Sequence, residues 1–330
     1  MIKDSLKQDA ENKKIFENKD LVYISGMGGS GIVGEFVADI FSEDSYKLKT
    51  LVLANKSSEA SHSILSMCHR TLSIAVSYSG NTGETMAFFK RIIKNQCDIG
   101  VVTSGGLLLN EALKRSVPLY RVAQGYPPRA SLPMLLSGVL KIIELVRIDL
   151  GSVYSDLERA SDILSSFNYV SRELAEEIYE RITSSQRPRI VVASSNRYKS
   201  LVERYQTEFA ENSKLYIEAP VFPEAGHNYI ETLRGGDAMI YYISDPDDIE
   251  NQVILGFLKR LSQYNEKIYL REIELPEKER YATKLIVGAY VAGLLTAYLA
   301  ERFNIDPAEI PVIKIYREHV SSYYLERESL

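Results

Sequence analysis

The chain has 330 residues, 45% of them hydrophobic and 25% charged, enough for one large domain or two ordinary ones with a sizeable core. Its formal net charge of −5 comes with no basic block, which argues against a nucleic-acid surface. Two cysteines, Cys68 and Cys97, are too few for a disulfide framework or a zinc cluster, and His62, His69, His227 and His319 show no metal-ligand spacing, so no metal site is predicted.

The N-terminal stretch MIKDSLKQDAENKK is polar and charged, unlike a signal peptide. From Leu21 to about Ala123 short apolar runs alternate with helical stretches. Strands are predicted at Leu21–Ser25, Lys49–Ala54, Leu72–Val76, Ile99–Thr103 and Leu119–Ala123, and helices at Ile32–Phe41, Glu84–Lys94 and Leu107–Arg115. This alternation predicts an α/β fold, a parallel sheet with helices on both faces.

Two turns in this region carry chemistry. ISGMGGSGIVGE, residues 24–35, sets Gly26, Gly28 and Gly31 at G-x-G-x-x-G spacing between strand and helix, where backbone N–H groups can crowd an anion. A dinucleotide site also needs a carboxylate near the end of the second strand, and none occurs between Asp44 and Glu59. No Gly-Lys-Ser/Thr follows, so a P-loop fails as well. After the third strand, SYSGNTGET presents Ser77, Ser79 and Thr82 around Gly80. A helix cap uses one hydroxyl; three beside a glycine point to a phosphate dianion. In a parallel sheet the turns after strands one and three stand side by side.

The segment GYPPRASLP, 125–133, breaks the alternation, and helices are predicted at Leu132–Arg147 and Asp156–Ser184. Alternation then resumes, with strands expected at Arg189–Ala193, Lys214–Ile217, Met239–Ile243 and Lys267–Arg271. Helices are expected at Tyr198–Asn212, Asp248–Gln263, Glu277–Phe303 and Val312–Leu325. The expected organisation is two domains of one class, 1–150 and 151–330. The longest uncharged stretch, Leu285–Ala300, has 16 residues, short of a membrane span and suited to a buried or interface helix. A cytoplasmic, soluble protein is expected.

GMGGSG followed by SYSGNTGET resembles the sugar isomerase (SIS) domain. With PPRASLP, EFAENSK and PEAGHN in that order, the chain resembles the bifunctional phosphoglucose/phosphomannose isomerases over most of residues 20–320. The resemblance implies two SIS domains, the first with the phosphate-binding loops and the second with the catalytic base. It implies a homodimer with shared active sites, small-molecule sugar phosphates as its other partners, and no nucleic acid, membrane, cofactor or metal. The implied reaction interconverts glucose 6-phosphate and mannose 6-phosphate with fructose 6-phosphate through a cis-enediolate.

Carried over by residue, the phosphate falls to Ser30, Ser77, Ser79 and Thr82, with Gly28 and Gly29 giving backbone access. Glu211 matches the base, His227 the ring-opening histidine supplied by the neighbouring subunit, and Arg129 the arginine that steadies the anionic intermediate. By spacing alone, Glu208, Glu211 and Lys214 read as a solvated row of helical charge, and it is the resemblance that makes Glu211 the base. The family ends on Ile-x-x-x-Lys with a ring-opening lysine. Here Ile313 leads to Arg317, and Lys314 is out of phase. The competing functions are a non-catalytic SIS-type sugar-phosphate sensor, which would call for an added helix-turn-helix, and an isomerase of another phosphorylated sugar or amino sugar.

Overall fold

The computed structural model describes residues 1–184 and 189–326. The chain divides into two compact units: Met1–Glu158 together with the chain from Ile310 on, and Arg159–Glu309. The final helix therefore groups with the first unit, a return that a single boundary at 150 does not contain.

In the first unit, strands β1 (Leu21–Gly26), β2 (Leu51–Asn55), β3 (Thr71–Ser77), β4 (Ile99–Thr103) and β5 (Leu119–Arg121) form an all-parallel sheet in the order β2-β1-β3-β4-β5. β1, β3 and β4 are buried along their whole length, which is why they read as largely apolar runs broken by buried Ser and Thr. After the short N-terminal helix α1 (Ile2–Lys7) come α2 (Gly29–Ser42), α3 (His62–Ser66), α4 (Gly83–Lys94), α5 (Gly106–Lys114) and α6 (Leu132–Ile143). Phe88, Phe89 and Ile92 of α4 and Leu108 of α5 pack with Leu21 and Tyr23 of β1 on one face. On the other face Gly34 of α2 meets Ile24, and Gly138 of α6 meets Val102 and Tyr120. A disulfide joins Cys68 to Cys97 with Cα atoms 4.9 Å apart, tying the approach to β3 to the approach to β4. Spacing gave no sign of that pairing.

Helix α7 (Gly151–Ile163) contains the crossing into the second unit, where α8 (Asn168–Ser184) follows. Strands β6 (Arg189–Ser195), β7 (Val221–Phe222), β8 (Ala238–Ser244) and β9 (Ile268–Glu274) form a second parallel sheet, ordered β7-β6-β8-β9. Its helices are α9 (Lys199–Glu208), α10 (Ile249–Tyr264) and α11 (Tyr281–Arg302), and α11 packs against both α8 and α9. At 22 residues α11 is long and apolar enough to cross a membrane, but most of it is buried within the protein. The fold class is as expected: α/β, two units, each a parallel sheet with flanking helices.

Two element boundaries need correction. The strand expected at Lys214–Ile217 is absent. Lys214 takes a left-handed conformation (φ +57°), Tyr216 is 82% exposed, and only Glu218 makes a lone bridge, to Val191; the edge strand comes later, at Val221–Phe222. The single helix expected over Asp156–Ser184 is two, separated by a 3-10 turn at Leu164–Phe167.

Candidate functional site

Gly26, the last residue of β1, pairs in register with Val76 of β3, so the two glycine turns leave the sheet side by side. This is where the strand order reverses, the crevice in which open α/β sheets bind ligands. Each turn runs into a helix N-terminus, α2 or α4, which no side chain caps and whose dipole favours an anion. Gly28 precedes α2 with φ +53°, a conformation open to glycine at little cost. Gly80 has φ +67°, and a Cβ there would fall 1.7 Å from the Gly105 carbonyl oxygen.

The hydroxyls are joined to one another and to the main chain. The buried Ser30 Oγ accepts from the Tyr78 N–H at 3.2 Å, linking the first turn to the second. Ser77 Oγ lies 3.0 Å from Thr82 Oγ1 and accepts the Gly80 N–H at 3.1 Å, while the exposed Ser79 accepts the Asn81 N–H at 3.3 Å. Thr82 occupies the N-cap of α4, yet its hydroxyl makes no capping bond.

The proline-rich turn closes onto the first loop. A Cβ on Gly29 would lie 3.4 Å from Arg129 Cα and 3.5 Å from the Pro128 carbonyl oxygen. Arg129 sits in a 3-10 turn, Pro128–Ser131, and is half-buried. Tyr78 orders the approach to that turn: its hydroxyl donates to the Ala123 carbonyl at 3.2 Å and accepts the Tyr126 N–H at 2.9 Å. Sequence reasoning passed over Tyr78, although its place between Ser77 and Ser79 was the available signal. The last helix, α12 (Pro311–Glu326), packs against α4, and its Tyr316 hydroxyl reaches Glu84 in the first turn of α4 at 3.3 Å. Arg317 and Lys314 are both exposed on this helix.

In the second unit, α9 passes without a break into a π-helical turn, Phe209–Ser213, and the half-buried Glu211 sits in it. The sequence pattern had continued a regular helix to Asn212. Lys214 ends the turn, its ammonium donating to the main-chain carbonyls of Glu211 at 2.5 Å and Glu309 at 2.7 Å. His227 is exposed in a 3-10 turn, Glu224–His227. The segment around it is clamped: Arg189 donates to both carboxylate oxygens of Glu218 at 2.6 Å and to the Thr232 carbonyl at 2.7 Å, and the Tyr229 hydroxyl donates to Glu218 at 2.7 Å. The hydrogen-bonded guanidinium of Arg189 holds the Glu218 carboxyl below the usual carboxylate range.

The corresponding edge of the second sheet carries an ion pair instead of a glycine turn. Asp245, fully buried just after β8, accepts from Lys284 Nζ at 2.5 Å and from the Tyr198 hydroxyl at 2.6 Å. Among the described residues no group of three or more His, Cys, Asp or Glu is placed to hold a metal ion.

Residues 167–320 match the family model described as the bacterial phospho-glucose isomerase C-terminal SIS domain. A bifunctional phosphoglucose/phosphomannose isomerase from Aquifex aeolicus is 26% identical, covering 94% of this chain and 93% of its own. A D-glucosamine-6-phosphate 4-epimerase from Sulfolobus acidocaldarius is 30% identical, covering 96% of this chain and 93% of its own. The crystal structure of a glucose-6-phosphate isomerase from Chlamydia trachomatis superposes with a TM-score of 0.69 over 95% of this chain and 71% of that one, at 13% identity. Fold and relatives together define a SIS-fold sugar-phosphate isomerase. The chain belongs to the family that holds these relatives, the bifunctional phosphoglucose/phosphomannose isomerases together with the D-glucosamine-6-phosphate 4-epimerase.

Proposed function

We propose that the protein interconverts glucose 6-phosphate and mannose 6-phosphate with fructose 6-phosphate, without metal or cofactor. The observation that carries this reading is the pair of hydroxyl-lined turns at the β1/β3 edge, joined through Ser30 and the Tyr78 N–H. The phosphate is assigned to Ser30, Ser77, Ser79 and Thr82 and to the backbone at Gly28 and Gly29. It goes to the first unit because Asp245 already supplies a carboxylate at the equivalent edge of the second.

Glu211 is the proposed base. Its carboxylate takes the C2 proton of the open-chain aldose, leaving a cis-enediolate, and returns it to C1 while the O2 hydroxyl proton passes to O1, which gives the ketose. A positioned base contributes about 10²–10⁴-fold. His227 moves the proton between the ring oxygen and the anomeric hydroxyl during ring opening, a task suited to imidazole near neutral pH. Arg129, on a proline-stiffened turn, faces the enediolate charge, and Arg317 takes the place of the family's C-terminal lysine. The active form is a homodimer, with His227 reaching the site of the partner subunit; its exposure in a surface turn suits that role.

A second reading, chemistry on a phosphorylated amino sugar, is favoured by the 30% identity to the epimerase over nearly the whole chain. The test is a direct NMR assay with each of the two aldose phosphates and with glucosamine 6-phosphate, all in the presence of chelator. Fructose 6-phosphate from both aldoses supports the proposal. Turnover of one aldose only, or loss of activity to chelator, overturns the bifunctional metal-free assignment, and turnover of glucosamine 6-phosphate alone establishes the second reading.

A further inference from the structure

Beyond the proposed base lies a row of buried polar side chains with no part in the chemistry described so far. In a regular α-helix, positions 204, 208 and 211 share one face. Arg204 and Glu208 do occupy the buried face of α9 and form an ion pair there, 4% and 2% exposed. The wider π turn replaces the third member: Asn212 goes to the interior and Glu211 is turned half out. Asn212 Nδ2 uses both of its protons, donating to Glu208 Oε2 at 2.6 Å and to Thr296 Oγ1 of α11 at 2.8 Å. Thr296, fully buried, donates onward to the Ala292 carbonyl at 2.8 Å. Ser213 Oγ closes the turn on the Phe209 carbonyl at 2.9 Å.

Apolar side chains would fill such a helix face at lower desolvation cost than a buried ion pair. π turns are costly insertions that concentrate at functional sites. We propose that Asn212 and Thr296, with the Arg204–Glu208 pair behind them, are positioning residues that hold the π turn and so fix the direction of the Glu211 carboxylate. This inference rests on Glu211 being the base.

Thr296→Val keeps the shape and removes the acceptor for Asn212, while Thr296→Ser keeps the hydroxyl. A small displacement of a reacting group costs up to about 10²-fold, so Thr296→Val should lower kcat by about 10–100-fold. KM for the sugar phosphate should stay within about two-fold, because the groups assigned to the phosphate are untouched. C2-proton exchange should fall in step with kcat, and Thr296→Ser should restore both. Asn212→Ser, read in the same way, serves if Thr296→Val does not fold. Unchanged kcat and exchange with a lowered thermal midpoint would make the network merely structural and overturn the inference. Glu211→Gln is run alongside: if it retains exchange, the base assignment fails independently of the network.

Discussion

Ser79 and Thr82 are where the phosphate assignment is most easily separated from ordinary helix capping. The Thr82 hydroxyl lies against Ser77 and makes no cap bond, and the exposed Ser79 accepts only the Asn81 N–H of its own turn, so neither caps the helix that follows. Ser79→Ala combined with Thr82→Val should therefore raise KM strongly, each lost bond to a charged oxygen costing about 1.5–3 kcal/mol, while the thermal midpoint barely moves. A collapsed midpoint with an unchanged KM would identify them as caps. Glu218 offers a test by pH. Arg189 depresses its folded-state pKa, so its contribution to stability is complete above the ordinary carboxylate range and is lost as pH falls through the depressed value. Glu218→Gln should be less stable than wild type at pH 7 and should converge with it in acid. A difference that persists undiminished at the lowest pH would show that the clamp works by shape and not by charge.

At the scale of elements, the disulfide is the clearest handle. Cys68 and Cys97 are 29 residues apart, and closing a loop of that size in the unfolded chain is worth about 3–4 kcal/mol. Reduction, or Cys68→Ser, should lower the stability to denaturant by that order, and equal midpoints with and without reductant would refute it. The bond also marks what the sequence could and could not disclose. Buried parallel strands such as β1, β3 and β4 are largely apolar runs, and the glycine and hydroxyl turns after them follow a local chemical pattern, so both were legible. Glu211 was legible only through family resemblance, because a glutamate at helical spacing from Lys214 looks like a surface charge. The π turn that carries it is bonded through Asn212 to Thr296, more than eighty residues away, and no local pattern records such a bond. The false strand at Lys214–Ile217 failed for a related reason: the left-handed Lys214 is set by the end of the π turn and by the distant Glu309 carbonyl.

For the whole molecule, the proposed sharing of sites between subunits has a quantitative signature. Glu211→Gln and His227→Ala homodimers should each be inactive. After subunit exchange, half the dimers are mixed, and in these one site collects both lesions while the other has neither. Roughly a quarter of wild-type activity should return for random exchange in a symmetric dimer. No recovery after confirmed exchange would place both residues in one subunit's site or remove His227 from it.

The return of α12 to the first unit has a consequence in time. That unit begins emerging from the ribosome first, but the helix that lies along α4 is encoded after the whole of Arg159–Glu309. At about 5–20 residues per second, the nascent first unit waits roughly 10–30 s for it. Throughout that interval Glu84, in the first turn of α4 and two residues after Thr82, lacks the Tyr316 hydroxyl that meets it in the finished protein. The unit that starts folding first is completed last.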